Sequence, residues 1–198
     1  GGAFYQCTSL TAVTIGNSLE TIDQNTFNKC SDLVSITIGN SVTTIGYQAF
    51  KQCTSLTVVV IPDNVTTIDI VAYGSCSNLR EFIIGDGVTT LGMWSFDSCT
   101  SLTDLIIGNS VEVIGNGSFY GCTSLTEVTI PDSVINIASN AFINCSALVT
   151  VTIGNGVTSI GSSAFAGCDS LTDVYVVNSE NITTVNTNSF QDLRGRDN

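Results

Sequence analysis

The eight cysteines of the 198-residue chain stand at Cys7, Cys30, Cys53, Cys76, Cys99, Cys122, Cys145 and Cys168, at a 23-residue spacing without exception. A fixed period of this length marks a repeat array, in which every period forms the same small unit and packs only on its neighbours. An aromatic precedes each cysteine by three residues (Phe4, Phe27, Phe50, Tyr73, Phe96, Phe119, Phe142, Phe165), and a leucine follows each by three, from Leu10 to Leu171. One unit cannot bury these side chains alone. Stacked units place aromatic on aromatic, cysteine on cysteine and leucine on leucine in continuous ladders.

Beyond the leucine the apolar spacing becomes two, as in Val13 and Ile15, Val59 and Ile61, or Val128 and Ile130, and period two means a strand. Turn pairs follow: Gly39-Asn40, Pro62-Asp63 and Gly85-Asp86 combine the free φ of glycine or the preset φ of proline with an Asx side chain that bonds nearby backbone. A second short extended piece, typified by Val42-Thr43-Thr44-Ile45-Gly46, turns Val and Ile inward before the chain returns to the aromatic. The expectation is one repeat-solenoid domain over 1–198, mainly β, with parallel strands stacked one per 23-residue coil in about eight coils. At roughly 4.8 Å per strand the stack is on the order of 35 to 40 Å long. The last coil, 169–198, is irregular. Val177-Asn178-Ser179-Glu180-Asn181 adds two residues, and Phe190 lies 25 after Phe165. Gly1 falls in mid-repeat, as it would in a part cut from a longer protein.

One coil written out, Ala49-Phe50-Lys51-Gln52-Cys53-Thr54-Ser55-Leu56-Thr57-Val58-Val59-Val60-Ile61-Pro62-Asp63-Asn64-Val65-Thr66-Thr67-Ile68, resembles the BspA-like class of leucine-rich repeats, and the match runs over nearly the whole chain. The resemblance implies a leucine-rich-repeat horseshoe or rod. Members of that class are surface proteins of oral and gut bacteria and of mucosal parasitic protists that adhere to host matrix or to other cells. It therefore implies an extracellular or cell-surface location and a host or cell-surface protein or glycan as partner. The scaffold carries over firmly; the ligand is chosen by each member's exposed residues.

Charge and composition exclude several functions. Seventeen acids against five bases and no histidine give a formal charge of -12, which argues against nucleic acid, whose phosphates require clustered Lys and Arg. No apolar run approaches the roughly 18 residues that span a bilayer, so membrane insertion is not expected. Equivalent cysteines in stacked coils have parallel Cα to Cβ vectors about 4.8 Å apart, which suits reduced, buried thiols better than disulfides. One thiol per coil, with no C-x-x-C pair, cannot gather four tetrahedral zinc ligands. No nucleophile stands beside a base and no phosphate-binding loop occurs, so neither enzyme activity nor a cofactor is expected. The sequons at Asn64, Asn116, Asn144 and Asn181 would permit glycosylation if a eukaryote secretes the chain, but an Asn- and Thr-rich sequence yields such sites by chance and they decide nothing about origin.

What the repeat leaves free is the outward side of the main strand. Five residues after each cysteine stand Ala12, Ser35, Val58, Glu81, Asp104, Glu127, Thr150 and Asp173; seven after stand Thr14, Thr37, Val60, Ile83, Ile106, Thr129, Thr152 and Tyr175. Variation at fixed outward positions is how repeat proteins build binding surfaces. The candidate ligand-binding residues are Val58, Val60, Glu81, Ile83, Asp104, Ile106, Glu127, Asp173 and Tyr175, an apolar strip edged by acid. The function expected is a non-enzymatic surface or secreted recognition and adhesion module that binds protein or glycan through this face. The alternative is a structural spacer or stalk segment of a larger surface protein, with its outward rows interchangeable. Open coil ends also predict end-to-end self-association.

Overall fold

Each alternating segment after the leucine forms a strand whose middle residue points into the solenoid, and each Val-x-x-Ile segment forms a second, shorter strand. The computed structural model describes residues 1–186 and 188–190. Among them sixteen strands, β1 to β16, alternate between two rows. The odd-numbered strands are the main row: β1 Ala12–Thr14, β3 Ser35–Thr37, β5 Val58–Val60, β7 Glu81–Ile83, β9 Asp104–Ile106, β11 Glu127–Ile130, β13 Thr150–Ile153 and β15 Asp173–Val176. The even-numbered strands are two residues each: β2 Thr21–Ile22, β4 Thr44–Ile45, β6 Thr67–Ile68, β8 Thr90–Leu91, β10 Val113–Ile114, β12 Asn136–Ile137, β14 Ser159–Ile160 and β16 Thr184–Val185. All pairing is parallel and, through β15, shifted by one full period, as in Ala12 opposite Ser35. The chain is thus a parallel β-solenoid of about eight turns, as its spacing predicts.

Between the second strand and the cysteine the coil must reverse around its aromatic. Two left-handed residues per coil do this. The residue before the cysteine has a positive φ in every coil, from Gln6 at 60° to Gly167 at 70°. So does the residue two before the aromatic, which is Asn, Gln, Ser or Gly in seven coils but Val71 and Trp94, both at 57°, in two. Branched and bulky side chains in this region crowd their own backbone. The turns also ladder between coils: the Phe27 amide donates to the Ala49 carbonyl at 2.8 Å, and the Phe119 amide to Ala141 at 2.8 Å.

The core is the set of ladders expected. Neighbouring rings from Phe4 to Phe190 are stacked face to face at 5.0 to 5.7 Å between centroids, the widest step being Tyr73 to Phe96. There Phe82, which replaces the aliphatic residue of other coils, packs edge-on to both rings at 4.9 and 4.5 Å. The leucines from Leu33 to Leu171 and the cysteines from Cys30 to Cys168 are buried, and all eight cysteines are free thiols, only Cys7 being exposed.

The main sheet departs from expectation in one respect. The short strands form one continuous eight-stranded sheet, but the main row is divided into a five-stranded sheet, β1 to β9, and a three-stranded sheet, β11 to β15. Where the first pairing weakens, between β3 and β5, only Ser35 and Val58 remain in register. Both faults fall just before a proline, Pro62 after β5 and Pro131 after β11, and these are the two prolines of the chain. In the last coils the residue at this position donates across: Gly154 to the Ile130 carbonyl at 2.9 Å and Val177 to Ile153 at 3.0 Å. Proline has no N–H to give, but Gly39, Gly85 and Gly108 make no such bond either while their strands pair in full, so the missing donor alone does not set the faults. The position is also cramped, since a Cβ on Gly108 would lie 2.4 Å from the Gly85 oxygen, and the proline ring must occupy that space.

Candidate binding face

The outward residues of the main row are brought into direct register. Val58 stands opposite Glu81 and Glu81 opposite Asp104, while Val60 stands opposite Ile83 and Ile83 opposite Ile106. Two adjacent rows result, one turning acidic and one apolar. Val60 is 53% exposed and Ile106 57%, so a strip of large aliphatic side chains faces solvent at the centre of the array. Among the described residues the ion pair present joins the N-terminal amine to Asp23 at 3.8 Å, and none of Glu81, Asp104 and Glu127 has a cationic partner. Like charges directly opposite on a sheet repel. The row is therefore held by the scaffold against its own electrostatics.

At each proline the face opens into a groove. The groove at Pro62, about 740 Å³, is lined by Val58, Val60, Ile83 and Ile106 together with Ile36 and Ile38 from the coil before. The groove at Pro131, about 790 Å³, gathers Glu81, Asp104, Ile106 and Glu127 over Leu105 and Ile107. Seven of the nine candidate residues thus line two neighbouring grooves that share Ile106. Asp173 and Tyr175 do not join them. They lie on β15, where Thr172 donates to the Asp173 carboxylate at 2.6 Å and Tyr175 is exposed opposite Thr152.

The turn residues show the same division. The Asn40 amide donates to Asn17 Oδ1 at 2.9 Å, the Asp86 amide to Asp63 Oδ1 at 2.9 Å, the Asn109 amide to Asp86 Oδ1 at 2.8 Å and the Asn155 amide to Asp132 Oδ1 at 2.7 Å. Among the described residues this ladder stops at Asn40 and at Asn109 and restarts at Asp63 and at Asp132. Sequence reasoning missed this because Pro-Asp and Gly-Asn are equally good turn formers within one coil. The signal available was that the proline ring, unlike glycine, needs room against the backbone of the preceding coil.

The buried thiols are poor nucleophiles. Burial pushes up the pKa of Cys30, Cys53, Cys76, Cys99, Cys122 and Cys145, with Cys53 raised to about 12, and a raised value means little thiolate and little nucleophilicity. Each thiol from Cys30 to Cys168 is nevertheless a donor, bonding the aromatic's carbonyl one coil earlier: Cys53 to Phe27 at 3.1 Å and Cys168 to Phe142 at 3.2 Å. Among the described residues no group of three or more His, Cys, Asp and Glu side chains is arranged to hold a metal ion, and no helix is long and apolar enough to cross a membrane.

An all-parallel solenoid with a main strand, a second short strand, a leucine ladder and a turn pair in each coil defines a leucine-rich-repeat scaffold. The chain belongs to the family of BspA-type leucine-rich repeat regions, whose model matches it in six copies over residues 1–112 and 89–195. Among solved structures it is similar to a leucine-rich repeat protein of T. pallidum, with 32% identity and a TM-score of 0.75 over 81% of this chain and 78% of that one. It is equally similar to a leucine-rich repeat protein of Eubacterium ventriosum, with 30% identity and a TM-score of 0.75 over 90% of this chain and 45% of that one. A leucine-rich cell surface protein of Faecalibacterium prausnitzii shares the fold at 24% identity and a TM-score of 0.62. The chain covers 90% of its own length in that match but 62% of the other protein. No curated protein is similar enough in sequence to count as a relative.

Proposed function

We propose that this chain is a non-enzymatic recognition module displayed outside the cell, binding a protein or glycan partner across the main strand face. The observation that carries the reading is the exposed apolar strip of Val58, Val60, Ile83 and Ile106 beside Glu81, Asp104 and Glu127. Here large aliphatic side chains face water and like charges stand in line, on strands whose inward positions the repeat fixes. Clustered exposed apolar side chains of this kind mark partner surfaces. Membership of a leucine-rich repeat family supports the reading, since its scaffolds present ligands with an extended outer face. The Faecalibacterium prausnitzii protein of the same fold is described as a cell surface protein, which favours a surface location here.

The test is a binding screen of the isolated chain against host matrix proteins and glycans, repeated with Val60, Ile83, Glu81 and Asp104 all changed to Ser. Loss of binding with an unchanged circular dichroism spectrum is expected. A folded quadruple variant that still binds the identified ligand would overturn the reading and leave the spacer role, in which the outward rows are interchangeable.

A further inference from the structure

The two prolines make a matched pair of notches. Away from the first and last coils, the inward-facing side chains that are not fully buried are Ile36 and Leu105, each on the strand just before a proline coil. Ile38 and Ile107, two residues on, are each 7% exposed, more than any other buried core residue. Core aliphatic surface is thus open to the face at two points. Pro131 follows Pro62 by three full periods. At about 4.8 Å per coil the notches are roughly 14 Å apart along the solenoid axis. Val60 and Ile83 bridge them on the surface. Acids flank this line on both sides, Glu81, Asp104 and Glu127 from the strands and Asp63, Asp86 and Asp132 from the turns.

We propose, building on the reading of this face as a binding surface, that it takes an extended cationic segment of a partner protein, with apolar side chains at positions i and i+4 seated in the two notches. The spacing selects the conformation. An extended chain rises about 3.4 Å per residue and returns to the same face every second residue, so i and i+4 lie about 13.5 Å apart and both point down. A helix with a pitch of about 5.4 Å completes roughly 2.7 turns over that distance and turns its second anchor away. A polyproline helix of about 9.3 Å per turn completes roughly one and a half turns and fails likewise. The acid on both flanks selects the charge: i+2 also points down between the anchors, and Lys or Arg there reaches either row and relieves the repulsion that the free face carries.

The probe is a fluorescein-labelled peptide, Lys-Leu-Thr-Lys-Thr-Leu-Lys, read by fluorescence anisotropy. Its control, Lys-Leu-Thr-Leu-Thr-Lys-Lys, has the same composition and charge with the leucines two apart. The first is expected to bind at least tenfold more tightly, and its advantage to persist in 0.5 M salt while both affinities fall. Changing Pro62 and Pro131 together to Gly installs the residue that other coils carry there, closes the notches and should abolish the tenfold difference without unfolding the chain. Equal binding of the two peptides, no binding of either, or an undiminished preference in the double glycine variant would each overturn the proposal. The face itself is judged separately with whatever ligand the matrix and glycan screen identifies. If the quadruple Ser variant loses that ligand while the double glycine variant keeps it, only the notch proposal falls; if both variants keep it, the reading of the face falls as well.

Discussion

The thiol of Cys99 donates to the carbonyl oxygen of Tyr73, 3.4 Å away across the boundary between two coils. The same oxygen accepts the Cys76 amide at 3.3 Å, so one carbonyl closes its own turn and anchors the next coil. A small apolar side chain would fill most of the space but donate nothing. Cys99→Ala is therefore expected to lower stability by about 1–2 kcal/mol through a lost weak donor and a small void. A urea titration followed by circular dichroism checks it, and an unchanged midpoint would show that the thiol serves only as filler.

The buried thiols also make stability depend on alkaline pH. Their pKa values are raised in the folded chain from an ordinary value of 9.0, with Cys53 at about 12, while the unfolded chain keeps the ordinary value. Below pH 9 both states are protonated and the contribution is fully present. As pH rises from about 9 towards 12 the unfolded thiols ionise first, and stability falls by about 1.4 kcal/mol per pH unit for each such thiol. The melting temperature should hold between pH 7 and 8.5 and then drop steeply, and a chain with Cys53, Cys76 and Cys99 all changed to Ala should show a shallower drop. A flat profile to pH 10.5 would contradict the burial.

Tyr73 stands where the other coils carry Phe, and its hydroxyl is buried without a hydrogen-bond partner. Removing an unsatisfied buried hydroxyl while keeping the ring relieves a desolvation penalty. Tyr73→Phe should raise stability by about 1 kcal/mol and leave ring stacking intact. A lower denaturation midpoint would mean that the hydroxyl finds a partner.

Val71 adopts φ of 57°, at a position that every other coil except that of Trp94 gives to Asn, Gln, Ser or Gly. The branched side chain crowds the following carbonyl in that conformation, at roughly 1–2 kcal/mol. Val71→Asn should recover about 1 kcal/mol, read as a higher melting temperature. A fall would show that Val71 contributes more by packing than it loses in strain.

These particulars show where the sequence was legible. The coil, the ladders and the burial of Phe, Cys and Leu follow from positions that agree in every period, and agreement across eight copies outweighs any local ambiguity. The exposed strip was legible for the opposite reason, because Val58, Glu81 and Ile106 break the agreement. The strain at Val71, the unpartnered hydroxyl of Tyr73 and the division of the main sheet were not legible. Each depends on how one side chain meets the neighbouring coil, a full period away, and no local window along the chain contains that meeting.

Pro131 provides the sharpest case. The Ile61 and Ile84 amides donate to the Ile83 and Ile106 carbonyls at 2.8 and 2.9 Å, whereas the Ile107 amide, at the same place in its coil, faces the division between β9 and β11. Pro131→Gly restores an N–H and removes the ring, which should let β11 pair with β9 and join the two main sheets. The Ile107 amide should then exchange with deuterium at least tenfold more slowly, with the short-strand amides of Val113 and Ile114 serving as the unchanged internal standard. If Ile107 exchange is unaffected, the division is set by the side chains of Leu105 and Val128 rather than by the proline.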